Sequence, residues 1–360
     1  MTTTSVTCLC GHIALSIQLD PATDHTQLQL CHCHDCRAVT GLLCSSYYLL
    51  QERPPALDTL QEYQESPHVS RFFCRTCGAH VFAQSKPSGR YLVASGVLVD
   101  ADTPEVHSIQ HWKTGDTGDG GLSAYLPQWP STDISCRLEA EPVPIESSEQ
   151  GKSAISQTPP ASWSSMQDVH NLQARCHCGG IDFFVTPPDE SSTQAWSQWP
   201  DLLVPFNSEY ADLDNGANVT WFLRKGNTKY LAGTCACASC RLHSGFPIQV
   251  WAFIPKSNLF NADGSPLTFG SGTMKQYKSS PGVYREFCDR CGATVFWHND
   301  GRPTVIDVSA GLIRGKNARS EELLDWATGR VSFAELAVQN DLVKMLEEGL
   351  QQYAKQHEND

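Results

Sequence analysis

Cys31-His32-Cys33-His34-Asp35-Cys36-Arg37 puts three cysteines into six residues, and the run recurs as Cys235-Ala236-Cys237-Ala238-Ser239-Cys240-Arg241. A glycine follows each run, Gly41 and Gly245. Outward from these runs the flanks also match. A C-x-C pair precedes each one: Cys8-Leu9-Cys10-Gly11 and Cys176-His177-Cys178-Gly179. A C-x-x-C pair follows each one: Arg71-Phe72-Phe73-Cys74-Arg75-Thr76-Cys77-Gly78 and Arg285-Glu286-Phe287-Cys288-Asp289-Arg290-Cys291-Gly292. Three ordered blocks occurring twice describe a duplicated unit of roughly 130 residues, too long a period for a solenoid. Of the 16 cysteines only Cys44 and Cys136 fall outside this order, and both read as buried apolar residues.

The duplication sets the domain organisation. A chain of 360 residues holds about two domains at roughly 150 residues each. Unit one covers 5–138 and unit two 174–360. Between them, 139–173 is rich in Glu, Ser, Pro and Gln and reads as a flexible linker. Short alternating runs such as Ile13-Ala14-Leu15-Ser16-Ile17 and Tyr91-Leu92-Val93-Ala94-Ser95 read as strands between Gly and Pro turns, which makes the fold mainly β. Unit two carries an insertion, 181–234, holding Trp196, Trp199, Phe206, Tyr210, Trp221 and Phe222. Such aromatics either extend a core or line a pocket. Ser332-Phe333-Ala334-Glu335 has the form of a capping box opening an amphipathic C-terminal helix over 332–355, packed on unit two through Leu336, Leu342, Val343, Leu346, Leu350 and Tyr353.

Charge narrows the function classes. The 26 basic and 39 acidic residues give −13, which opposes nucleic-acid binding because phosphate contact wants a basic face. No apolar run reaches the ~20 residues of a membrane helix, so no membrane partner is expected. Met1-Thr2-Thr3-Thr4-Ser5 has no basic n-region or apolar core, so the expected compartment is the cytoplasm, with the nucleus allowed.

In a reducing compartment clustered cysteines point to metal. Cys8, Cys10, Cys74 and Cys77 make a four-thiolate set suited to a structural Zn2+, and Cys176, Cys178, Cys288 and Cys291 make a second. What is left is Cys31, Cys33 and Cys36, and Cys235, Cys237 and Cys240. Three ligands are what a catalytic zinc has, with its fourth corner open. A zinc with three thiolates is soft, and another thiol suits that corner. Other readings stay open for the triplets. A structural zinc completed by His32 or His34 is one, although Ala236 and Ala238 stand at those places in unit two. Disulfides fit poorly with seven cysteines per unit, iron–sulfur spacings do not match, and no βαβ setting supports a redox C-x-x-C.

These motifs resemble the glutathione-dependent formaldehyde-activating enzyme (Gfa) family, which includes centromere protein V. C-x-C-G, C-x-C-x-x-C-R…G and F-C-x-x-C-G match it in both units, as do Ser95-Gly96-Val97-Leu98 and Ala310-Gly311-Leu312-Ile313, so the chain is similar to tandem double-domain members. The resemblance implies two Mss4-like (β-tent) domains of small antiparallel sheets, and two zinc positions per domain, up to four per chain. The structural sets would be Cys8, Cys10, Cys74, Cys77 and Cys176, Cys178, Cys288, Cys291; the catalytic sets would be Cys31, Cys33, Cys36 and Cys235, Cys237, Cys240. It implies carbon–sulfur lyase chemistry on a thiol adduct, with glutathione as co-substrate and a small electrophile such as formaldehyde. Glutathione carries carboxylates, and Arg37 and Arg241 stand beside the triplets as substrate-binding candidates. His107, His111 and Trp112 fall where a proton donor could stand, with core or surface roles the favoured alternative. Unit one, with His32 and with Asp100 after its Gly-x-Leu strand, is expected to be the more typical; unit two has either drifted or been fitted to a larger substrate. A related zinc enzyme on another small molecule and a non-catalytic zinc scaffold are the alternatives.

Overall fold

The computed structural model describes residues 3–99, 103–126, 171–206 and 214–357. Asp100, Cys136, Tyr210 and the expected linker up to residue 170 lie outside the described residues, whereas Leu172 already begins a strand. Unit one is built from β1 (Thr3–Thr7), β2 (Ala14–Gln18), β3 (Gln27–Cys31), α1 (His34–Thr40), β4 (Tyr47–Leu49), β5 (Gln61–Gln64), β6 (Val69–Phe73), β7 (His80–Ser85), β8 (Tyr91–Ala94) and β9 (Ser108–Trp112). Unit two repeats this order with β10 (Leu172–Arg175), β11 (Asp182–Val185), β12 (Leu223–Arg224), β13 (Lys229–Cys235), α2 (Ala238–Ser244), β14 (Gln249–Pro255), β15 (Leu259–Asn261), β16 (Met274–Ser280), β17 (Val283–Cys288), β18 (Thr294–Asn299), β19 (Arg302–Ser309) and β20 (Leu324–Trp326). A C-terminal helix, α3 (Asn340–Gln356), closes the chain. Among the described residues no helix is long and apolar enough to cross a membrane.

The fold is mainly β, made of several small, mostly antiparallel sheets. In unit one the main sheet runs β4-β8-β7-β6-β5, and in unit two β12-β13-β14-β19-β18-β17-β16. A parallel pair recurs in both, β3 with β9 and β13 with β20. Strands β6 and β14 are buried along their whole length, as expected of strands covered on both faces. The C-x-x-C-G turn between β6 and β7 closes with Gly78 at φ +79°, and its repeat closes with Gly292 at the same φ, a conformation glycine adopts without steric cost.

The two halves clasp each other reciprocally. α1 packs on the turn at Ala310–Leu312, and α2 packs on the turn at Ser95–Val97. Gly311 donates its backbone N–H to Gly41 O at 3.0 Å, and Gly96 donates to Gly245 O at 2.9 Å. This is the self-complementary pattern of a two-fold interface, here within one chain. One hydrophobic core runs through both halves.

The structure corrects the C-terminal reading. Ser332 caps no helix. Its N–H donates to Thr234 O and it bridges to Cys235, so it extends the edge of β13, while Glu335 pairs with Arg330. The helix begins at Asn340 and buries Leu342, Val343, Leu346 and Leu350. It spans both halves, since Tyr353 meets Tyr125 of unit one edge-on at 5.0 Å.

Candidate metal centres and the cavities beside them

Two hairpin turns bring each four-cysteine set together. Cys8 and Cys10 lie in the turn after β1, and Cys74 and Cys77 in the turn after β6. Cys8 and Cys10 sulfurs are 3.5 Å apart, and Cys10 and Cys74 3.6 Å. In unit two the matching separations are 3.5 Å for Cys176–Cys178 and 3.5 Å for Cys178–Cys288. A tetrahedral zinc with ~2.3 Å bonds needs sulfurs about 3.8 Å apart, so both sets fit a zinc ion. All four sulfurs of each set lie within 4.8 Å of one another.

The triplets are equally close: Cys31, Cys33 and Cys36 form one group within 4.8 Å, and Cys235, Cys237 and Cys240 another. Cys33 and Cys237 each cap a helix of seven residues, about two turns. The Cys36 N–H donates to Cys33 Sγ at 3.4 Å, and the Cys240 N–H to Cys237 Sγ at 3.3 Å. Such donors favour thiolate. Cys36 is held well below the ordinary thiol range by hydrogen bonds from Cys31 and Cys33, with Arg71 adding to it. In unit two it is Cys237, through Cys235 and Cys240, with Arg285 adding. No histidine joins either group among the described residues. The His32 side chain instead meets His111 at 2.9 Å, and His34 turns to Asp35.

Arg37 and Arg241 line neither of the cavities beside the triplets. Arg37 is buried and donates to His32 O at 3.1 Å and Asp116 O at 3.0 Å. Arg241 is buried and donates to Gly96 O at 2.6 Å and Leu98 O at 2.8 Å, across the junction of the halves. The arginines against the thiolates come from neighbouring strands. Arg71 on β6 donates to Cys36 Sγ at 3.2 Å, and Arg285 on β17 reaches Cys240 Sγ at 3.7 Å. The signal for them was present: an arginine stands three residues before the C-x-x-C in both copies.

The two triplets face different spaces. Beside unit one's lies a cavity of about 70 Å³ that reaches only Cys31 of the three, walled by Tyr47, Leu49, Leu92 and Trp112. Beside unit two's lies one of about 320 Å³ that touches Cys235, Cys237 and Cys240 together. Ligand pockets run from roughly 300 to 1,000 Å³, so the second is of ligand size and the first is not. The insertion contributes to both roles weighed for it. Trp199 and Leu202 line the larger cavity, while Trp221 and Phe222 are core, with Trp221 donating to Ser197 O at 3.1 Å.

The family model of the glutathione-dependent formaldehyde-activating enzyme matches residues 3–113 and again 219–328. The chain belongs to that family. No curated protein matches the chain.

The second match to the Gfa model begins after Cys176 and Cys178, yet the structure seats both with Cys288 and Cys291. In this Gfa protein the roomier triplet belongs to unit two, not to the unit expected to be the more typical. His107 is exposed beside Glu105, and His111 is occupied by His32 and Leu126 O. Trp112 is a wall of the small cavity. Cys44 is buried, and burial pushes its thiol up to about 12.

Proposed function

We propose that this Gfa protein makes or breaks the carbon–sulfur bond of a thiol adduct, with glutathione as the thiol and a small electrophile such as formaldehyde as its partner. The observation that carries this reading is the three-sulfur group Cys235, Cys237 and Cys240, which has no fourth ligand among the described residues and opens on a ligand-sized cavity. A zinc ion held there would supply a thiophilic Lewis acid that keeps a substrate thiol as thiolate. The chain's own residues prepare that corner. The N–H of Cys240 and the guanidinium of Arg285 both favour the thiolate at Cys237. Trp251 and Phe253 wall the space. Holding thiol and electrophile side by side in that space supplies much of the acceleration.

The four-thiolate sets would fix the hairpins that carry these groups. Action on a different small molecule is a second reading, favoured by the size of the unit-two cavity. The test follows 13C-labelled formaldehyde and glutathione by NMR exchange with the zinc-loaded full chain. Adduct exchange faster than the buffer rate, lost in Cys33→Ser/Cys237→Ser, supports the reading. No acceleration by the unmodified protein removes it.

A further inference from the structure

The rows of side chains beside the two triplets can be compared position by position, because the strand registers repeat. In unit one Tyr47 pairs with Ala94, and Leu49 and Ala83 both pair with Leu92. In unit two Trp251 pairs with Ser309, and Phe253 and Trp297 both pair with Asp307. Leu49, Ala83 and Leu92 form a small apolar cluster that fills unit one's side. Unit two has Phe253, Trp297 and Asp307 there instead. Asp307 draws in Arg302 as a buried ion pair, and the Arg302 guanidinium lies over the Trp297 ring at 4.9 Å.

The arginines at the sulfurs differ in the same sense. Arg71 has an acceptor on every nitrogen: Glu65, the Tyr47 hydroxyl at 2.5 Å and Cys36 Sγ at 3.2 Å. At the matching places unit two has Ser279 for Glu65 and Trp251 for Tyr47. The Nε of Arg285 therefore has no acceptor among the described residues, and neither has the Nε of Arg302. Both side chains are more than nine-tenths buried, line the same cavity and flank Asp307. A buried cationic N–H without an acceptor is costly, so both guanidinium groups at the cavity carry charge that the protein leaves under-compensated. The aromatic part of the wall is Trp251, Phe253, Trp297, Phe333 and, from the insertion, Trp199; Gln198, Asp201, Thr234 and Asn299 are among its polar members.

We propose that the unit-two cavity binds an aromatic carboxylate, its ring held by Trp199, Trp251, Phe253 and Trp297 and its carboxylate by the guanidinium groups of Arg285 and Arg302. This rests on the cavity being the substrate site, but not on the thiol chemistry. Glutathione brings carboxylates without a ring, and formaldehyde brings neither. Two charge-assisted hydrogen bonds and a stacked ring each favour this class over its neutral or ringless analogues by tenfold or more.

The experiment is calorimetric titration of the zinc-loaded full chain with 4-methylbenzoate, 4-methylbenzamide and butanoate. The benzoate is expected to bind once per chain, at least tenfold tighter than either analogue. In Arg302→Met/Asp307→Leu, which restores the leucine that unit one carries at Leu92, the preference over the amide should fall below threefold with little change in melting temperature. Trp297→Ala, matching Ala83, should lose the preference over butanoate and serves if the double variant does not fold. Equal binding of benzoate and amide by the unmodified protein overturns the proposal, as does a preference that survives in the variants. Titration with 4-(mercaptomethyl)benzoate separates the two readings. If its thiol adds nothing while the benzoate preference holds, the adduct chemistry fails and the cavity assignment stands.

Discussion

Tyr63 in one half and Nδ1 of His177 in the other share a 2.6 Å hydrogen bond. His177 stands between Cys176 and Cys178, and its backbone N–H donates to Ala38 O of α1 at 3.0 Å. Its Nε2 lies 3.7 Å from the Asp35 carboxylate beside Cys36. The four-cysteine set of unit two is thereby tied to the triplet helix of unit one. The halves are expected to unfold together. Tyr63→Phe removes one hydrogen bond and should cost about 1 kcal/mol while leaving a single urea transition. Two resolved transitions in the unmodified protein would contradict this coupling.

The reciprocal clasp sets a second expectation. A Cβ on Gly245 would stand 2.1 Å from His80 O, at a φ of +84°, and a Cβ on Gly41 would stand 2.3 Å from Thr294 O. Neither backbone oxygen can move without parting the halves. Gly245→Ala should destabilise by on the order of 3 kcal/mol or more, through clash and strained φ together. Gly226 is the control: its φ is +67°, but nothing lies within 4 Å of the added methyl. Gly226→Ala should cost roughly 1 kcal/mol. Thermal melts of the two variants side by side test the difference; equal losses would mean the clasp is pliable.

Much of this was legible in the chain, for a physical reason. Metal ligands must lie within one coordination sphere, so the spacing of Cys8/Cys10 and Cys74/Cys77 carries three-dimensional information. The β character was legible for the same sort of reason, as alternation records which face is buried. Side-chain direction was not legible. Arg37 follows Cys36 directly, but one helical step turns it away to His32 O, whereas Arg71 arrives through strand register. Ser332 looked like a cap because the pattern S-x-x-E is local, while its actual partner, Thr234, is remote in sequence. Gly41 and Gly245 repeat in sequence, but nothing local says that each abuts the opposite half.

Metal content separates the two kinds of centre. Four cysteine groups are of a size to hold an ion, so the fully loaded chain should carry about four zinc. Cys237→Ser removes one ligand from a triplet that joins no remote hairpins. It should lose about one zinc and keep the fold. Cys74→Ser opens the set that joins the turn after β1 to the turn after β6, where metal binding contributes to folding. It should lower the melting temperature by many degrees. Elemental analysis with circular dichroism reads both; an intact fold after Cys74→Ser would show that the hairpins hold without the metal.

Acid should weaken the protein through the histidines at the junction. His80 is fully buried, with its Nε2 on Val39 O at 3.0 Å. Burial, with Arg71 adding, pushes its pKa down to about 3 from the usual 6.5. His243 is pushed down as well, first by burial and then by Arg285. Below pH 6.5 the unfolded chain takes up protons that the folded chain refuses. Stability is therefore fully present above pH 6.5 and is lost as pH falls toward the folded value. One such histidine contributes a slope of up to about 1.4 kcal/mol per pH unit in that window. His80→Gln can keep the bond to Val39 O and cannot titrate, so its stability should fall less steeply between pH 6 and pH 4.5. Urea titrations at a series of pH values give both slopes. Loss of metal in acid affects both proteins and cancels in the difference, so identical slopes would mean that His80 takes up its proton in the folded chain.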